Sequence, residues 1–169
     1  NTALCNAAKS GVDVRLITPH IPDKQYVFQV TRAHYPPLLE AGVKIYEYTP
    51  GFIHAKNFVV DDRFATVGTV NLDYRSLFLH FEDGVWLCEA PCIGDIRQDF
   101  EQTLKVCEPV SLRRAKHLNI LLQLYRSVLQ LWNNMESYYN TINSWITNLL
   151  ESNPAVEHFV SDRFAGYYK

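Results

Sequence analysis

Apolar residues recur along this chain in two rhythms. In VDVRLITP (12–19) and VKIYEY (43–48) apolar and polar positions alternate, the period of a strand with one face buried. From about Lys24 to Ala41 the spacing is that of a helix, interrupted at Pro36 and Pro37 and closed at Gly42. The Ala-rich run from Asn1 to Ser10 predicts the end of a helix, with Gly11 as its C-cap residue. HAKNFVV (54–60) and FATVGTV (64–70) flank the turn-prone Asp61-Asp62-Arg63 and predict a hairpin. LHFEDGVWLCE (79–89) reads as a further strand, and Ile93 to Val106 as a helix. This order predicts an α/β sandwich, with a mixed β-sheet flanked by helices. A boundary is expected near Cys107-Glu108-Pro109, which divides the chain into residues 1–108, a basic and apolar helical segment at 109–132, and an unassigned extension at 133–169.

Composition narrows the class. The 169 residues are 47% hydrophobic and 20% charged, enough for one sizeable core. A formal net charge of −2 carries no nucleic-acid signature. Cys5, Cys88, Cys92 and Cys107 lack the paired spacing of a zinc site and are expected to be reduced, mostly buried thiols. No signal peptide and no run of eighteen apolar residues is present, so the chain is expected either to be soluble or to lack a preceding part that carries targeting or membrane segments.

Candidate chemistry concentrates in GFIHAKNFVVDDRFATVGTVNLDYRS (51–76). Residues two apart on a strand share a face, so His54 and Lys56 are expected on one side. A turn near Asp62 returns position 71 to lie opposite position 53, which brings Asn71 beside them. An imidazole, an ammonium and a carboxamide, with the small-residue backbone of Gly68-Thr69, suit a tetrahedral oxyanion, and phosphate is the obvious candidate. A lone His and Lys at a strand end are otherwise an ordinary exposed rim.

The spacing continues, however. HxK, four residues, Asp61, six residues, then GTxN resembles the HKD motif of the phospholipase D superfamily. EAGVKIYEYTPGFIHAK, VGTVNLDYRS and the FE that follows are similar to the second catalytic half of bacterial cardiolipin synthases, as is AAKSGVDVRLITPHIPD to the segment before it. The similarity is clear from Asn1 to Glu89 and looser to Trp132.

The resemblance implies a phospholipase D-like fold and a phosphatidyltransferase that moves a phosphatidyl group between phosphatidylglycerol molecules through a phosphohistidine, releasing glycerol. His54 is then one of two catalytic histidines. Lys56 and Asn71, with Gly68 and Thr69, hold the phosphate, and Asp61 is a structural anchor. Glu82 orients the catalytic histidine, although Asp83 is an alternative partner and Glu82 could instead pair with Arg75. Neither a metal nor another cofactor is implied, because Lys56 and Asn71 supply the charge stabilisation. His20, His34, His80, His117 and His158 are dispersed without ligand spacing.

The family's site takes two such motifs, and this sequence contains one. The second HKD half is expected either from a missing N-terminal part, favoured by the start inside a helix, or from a second copy of the chain. The implied setting is the bacterial plasma membrane. Arg113, Arg114, Lys116 and Arg126 in SLRRAKHLNILLQLYRSVLQLW (111–132) suit either an anionic bilayer surface or a core-packing helix with a basic first turn. From Asn133 the composition turns to Asn, Ser, Tyr and Trp without a family pattern. Two other functions are compatible with the motif: a homodimeric phosphodiesterase or nuclease, and a catalytically inactive remnant that binds phospholipid. The lack of a basic groove with interleaved aromatics argues against a nucleic-acid partner.

Overall fold

A computed structural model describes residues 1–116 together with 122, 124–129, 131, 132 and 135. In chain order the elements are α1 (Thr2–Lys9), β1 (Arg15–Pro19), α2 (Gln25–Ala33), α3 (Tyr35–Glu40), β2 (Lys44–Tyr48), β3 (Asn57–Val60), β4 (Phe64–Gly68), α4 (Tyr74–Phe78), β5 (Gly84–Cys88), α5 (Ile93–Leu104), β6 (Cys107–Pro109) and α6 (Leu112–Lys116). They fall into two compact units, Asn1–Asn71 with Glu82–Leu131, and Leu72–Phe81 with Trp132–Lys169. In the second unit, α4 is capped by the Asp73 carboxylate, which accepts from the Ser76 amide at 2.8 Å.

The helix expected over 24–41 is two helices divided at His34. Proline has no N–H to donate and clashes inside a helix, so Pro36 and Pro37 are accommodated in the first turn of α3. At the other end of α3 the amides of Gly42 and Val43 fold back to the carbonyls of Leu39 and Leu38 at 3.1 and 3.0 Å. Gly42 has φ +99°, open to glycine at little cost, and the turn brings Leu38 and Val43 into the core. Gly11 ends α1 in the same way.

The described strands form two three-stranded sheets. In the first, β1 and β2 run parallel, with Arg15 opposite Lys44 and Pro19 opposite Tyr48, and β6 lies antiparallel on the far side of β2. In the second, β3, β4 and β5 form an antiparallel meander. Cys107–Pro109, where the first domain was expected to end, is a strand, and the chain continues into the core through Val110 and Ala115. That core joins Tyr35, Leu38, Val43 and Ile45 to Val110 and Ala115, with Leu4, Ala8 and Leu16 packed against it. Helix α5 buries Ile93 and touches β2, β3 and β4. It is tied to the first sheet by Arg15 with Glu101 at 3.2 Å and to the hairpin by Arg97 with Asp62. Of the cysteines expected to be mostly buried, Cys88 and Cys92 are exposed, and Cys5 and Cys107 only partly covered. Cys88 ends β5, which pairs on one side only among the described strands.

Glu47 is the polar centre of the first sheet. Its side chain is 3% exposed and accepts from Arg32 Nε and Nη2 at 2.8 and 2.6 Å, with His20 Nδ1 at 2.8 Å. Burial pushes its carboxyl pKa up, but the hydrogen bonds from Arg32 and then His20 outweigh it and hold the group below its ordinary value. Beside it the Tyr35 phenol, bonded to the Thr18 hydroxyl at 2.7 Å, is pushed up to about 12 by burial.

The segment 111–132 turns part of its charge inward. Arg126 is 6% exposed and donates from Nε to Gln29 Oε1 at 2.9 Å, while Arg114 pairs with Glu108 and Lys116 with Glu40. Arg113 is exposed, as are Leu124, Val128 and Leu131. Among the described residues no helix is long and apolar enough to cross a membrane. The extension expected at 133–169 lies, apart from Met135, outside the described residues.

A carboxyl whose folded pKa is depressed stabilises the fold above its unfolded value, near pH 4.3, and that contribution is lost as pH falls through the lower folded value. Glu47→Gln is therefore expected to lower stability at pH 7 by about 3 kcal/mol, because Arg32 is left without its counter-ion, and to flatten the acid limb below pH 4.3. Urea unfolding at several pH values checks both effects.

Candidate active site

The turn that aligns the site is built from two aspartates. Asp61 and Asp62 have φ of 52° and 56°, and the Arg63 amide donates to the Val60 carbonyl at 3.1 Å. Two successive left-handed residues are the signature of the tight hairpin turn whose twist matches that of its strands, and Asp tolerates this conformation better than most side chains. Asp61 thus lies in the hairpin turn, at the end of β3 opposite to the end where His54 and Lys56 enter.

Pairing runs from Asn57 opposite Val67 to Val60 opposite Phe64. This agrees with the register expected from the sequence as far as Asn57 and Val67, where the pairing ends, short of Ile53 and Asn71. The strand itself starts later than expected. His54 and Lys56 lie in the segment that leads into β3 and not within the strand. His54 is exposed, with the Phe52 ring stacked on its imidazole at 5.8 Å between centroids and 19° between planes. Lys56 is half-buried and its Nζ donates to the His54 carbonyl at 2.8 Å, which fixes the ammonium against the backbone of the histidine.

Across the hairpin, β4 ends at Gly68, opposite Gly84 of β5. A Cβ on Gly68 would lie 2.3 Å from the Asp83 carbonyl oxygen and 2.6 Å from the Gly84 Cα, so a side chain is excluded here by the neighbouring backbone. This close approach lets the Thr69 amide donate to the Asp83 carbonyl at 2.9 Å and the Asp83 amide donate to Thr69 Oγ1 at 3.0 Å. The Thr69 hydroxyl in turn donates to the Glu82 carboxylate. Glu82 is half-buried and Asn71, two residues beyond Thr69, is exposed.

The structure therefore ties Thr69 to Glu82 and Asp83, and Lys56 to the His54 backbone, at the end of the second sheet remote from its turn. The Thr69 amide is engaged with Asp83, and Gly68 is accounted for by strand packing. What this end of the sheet offers a ligand is an exposed imidazole, the Lys56 cation and an exposed carboxamide, all suited to an oxyanion. The Thr69–Glu82 hydrogen bond went unseen in the sequence, although a hydroxyl residue followed at a distance by an acid in an apolar strand was its available signal. Among the described residues no group of three His, Cys, Asp or Glu side chains is placed to hold a metal ion.

Residues 1–104 match the family model described as "Cardiolipin synthase, PLD-like domain". The chain is 48% identical over 129 residues to an uncharacterized protein of Streptococcus mutans, a match that covers 76% of this chain and 28% of that protein. It is 42% identical over 130 residues to a cardiolipin synthase of a Geobacillus species, covering 77% and 26% respectively. A similar likeness, 42% over 129 residues, links it to cardiolipin synthase 2 of Bacillus anthracis, covering 74% of this chain and 25% of that protein. Among solved structures, phosphatidylserine synthase of Haemophilus influenzae superposes with a TM-score of 0.55 at 16% identity, covering 83% of this chain and 37% of that one, which supports the fold. The fold is phospholipase D-like. The chain belongs to the cardiolipin synthase, PLD-like domain family, and spans about a quarter of the length of the curated relatives it matches.

Substitutions at two positions separate packing from hydrogen bonding at this end of the sheet. Gly68→Ala is expected to cost about 2–3 kcal/mol, since the obstructing atoms are backbone. Thr69→Val, which removes the hydroxyl that serves both Glu82 and the Asp83 amide, is expected to cost about 1–3 kcal/mol, whereas Thr69→Ser retains most of that stability. Thermal melting of the three variants measures the differences.

Proposed function

We propose that this chain supplies one half of the active site of a phosphatidyltransferase of the cardiolipin synthase type, acting on phosphatidylglycerol at the bacterial plasma membrane. A ring nitrogen of one motif histidine attacks the phosphorus of phosphatidylglycerol. The P–O bond to the headgroup glycerol breaks, and the second motif histidine gives its proton to the departing oxygen. A hydroxyl of another phosphatidylglycerol then attacks the phosphohistidine, returns a proton to that same second histidine, and the P–N bond breaks. His54 is one of the pair, with an exposed imidazole that chemistry allows as either nucleophile or acid and base. Lys56 and Asn71 hold the nonbridging oxygens, where positive charge and an amide donor oppose the charge that develops. Glu82 orients the histidine, with its carboxylate steadied by the Thr69 hydroxyl.

The observation that carries this reading is the link of Thr69 to Glu82 and Asp83, directly after β4, the strand paired with the one that His54 and Lys56 enter. A second motif completes the site, from further chain or from a second copy. The lone HxK and the exposed Val67, Val85 and Trp86 on the second sheet support that requirement.

Cardiolipin formation from labelled phosphatidylglycerol in mixed micelles tests the proposal. The assay compares the chain alone, the chain with a separately expressed N-terminal half, and that pair carrying His54→Ala. Activity confined to the wild-type pair is expected, with His54→Ala at least about 10³-fold slower. Lys56→Ala is expected to lose about 10²–10³-fold. Full activity in the His54→Ala pair would overturn the assignment. Activity of the chain alone that rises with the square of its concentration would place the second motif on another copy.

A further inference from the structure

A second concentration of positive charge lies on the first sheet, away from the hairpin. Arg32 of α2, Arg114 of α6 and Arg126 line a cavity of about 60 Å³ with Tyr35 and Glu47, against an apolar wall at Val110. A single water needs roughly 10–15 Å³ of such space, so there is room for several waters or for one tetrahedral oxyanion.

The charges around it are unequal. Glu47 is the carboxylate in the lining, and it is already engaged by Arg32 through two hydrogen bonds and by His20. Arg114 reaches Glu108 at 3.3 Å, on a side chain that is itself more than half exposed. Arg126 is the most deeply placed of the three arginines. It is 6% exposed, and its partner among the described residues is the neutral Gln29 amide oxygen. Burial, and next the like charge of Arg32, pull its pKa down, only partly offset by Tyr35 and Glu47. Tyr35 stays a neutral phenol throughout the physiological range. A buried guanidinium is costly unless paired, and guanidinium forks match phosphate oxygens two at a time.

We propose that this cavity binds a phosphate-class oxyanion, held by the guanidinium groups of Arg32, Arg114 and Arg126. The site is independent of the His54–Lys56 chemistry. Because Arg32 comes from α2 while Arg114 and Arg126 come from the 111–132 segment, an anion there would lock that segment onto the first sheet.

The test is thermal melting of the whole chain in inorganic phosphate against sodium chloride at matched ionic strength, in the wild type and in the His54→Ala/Lys56→Ala background. At ten times the dissociation constant, a melting point about 3–6 °C higher is expected in both. Arg126→Gln is expected to abolish the rise. If Arg126→Gln does not fold, Arg114→Gln, at the more exposed edge, is expected to reduce the rise by at least half. No rise in the wild type would overturn the proposal, as would a rise that disappears in the His54→Ala/Lys56→Ala background but survives both arginine changes. Flotation with phosphatidylcholine vesicles, with and without phosphatidylglycerol, identifies the source of the phosphate. Binding to the anionic vesicles that falls in Arg114→Gln makes the ligand a lipid headgroup. Vesicle binding unchanged in that variant, while phosphate raises the melting point of the wild type, makes it a soluble phosphate.

Discussion

The backbone approach of β4 to β5 at Gly68 and Gly84 governs the second sheet. With no side chain between them the strands come close enough for Thr69 and Asp83 to exchange hydrogen bonds, and the Thr69 hydroxyl is then directed at Glu82. The Glu82 carboxylate of the candidate site is thus held on the Thr69 hydroxyl through a packing constraint on glycine.

The first sheet is held by different means. Its interior is apolar around Ile45 and Val43, yet it accommodates Glu47 because Arg32 and His20 satisfy both carboxylate oxygens. Helix α5 connects the two sheets. Of its charged ties, Arg97 with Asp62 is exposed and Arg15 with Glu101 part-buried, and the buried Ile93 adds apolar packing to them.

Local pattern conveyed much of this. The alternation in 43–48 and the turn chemistry of Asp61-Asp62 were sufficient to define β2, the hairpin and its register, and the His54, Lys56 and Asn71 spacing marked out the candidate site. Other features escaped for reasons of length or distance. With three residues, β6 is too short to show alternation. The strand expected over 79–89 begins only at Gly84, since Glu82 and Asp83 are occupied with Thr69, thirteen and fourteen residues earlier in the chain. The inward position of Arg126 ran against its charge, because the Gln29 that receives it lies 97 residues away.

Strand β5 has a further consequence. Among the described strands it pairs only with β4, and Val85 and Trp86 are exposed along it. Such an edge is a template on which another chain can add a strand, and an apolar one favours aggregation over solubility. Production of this chain without whatever covers that edge thus sets folding in competition with self-association, and the outcome depends on concentration before any question of catalysis arises.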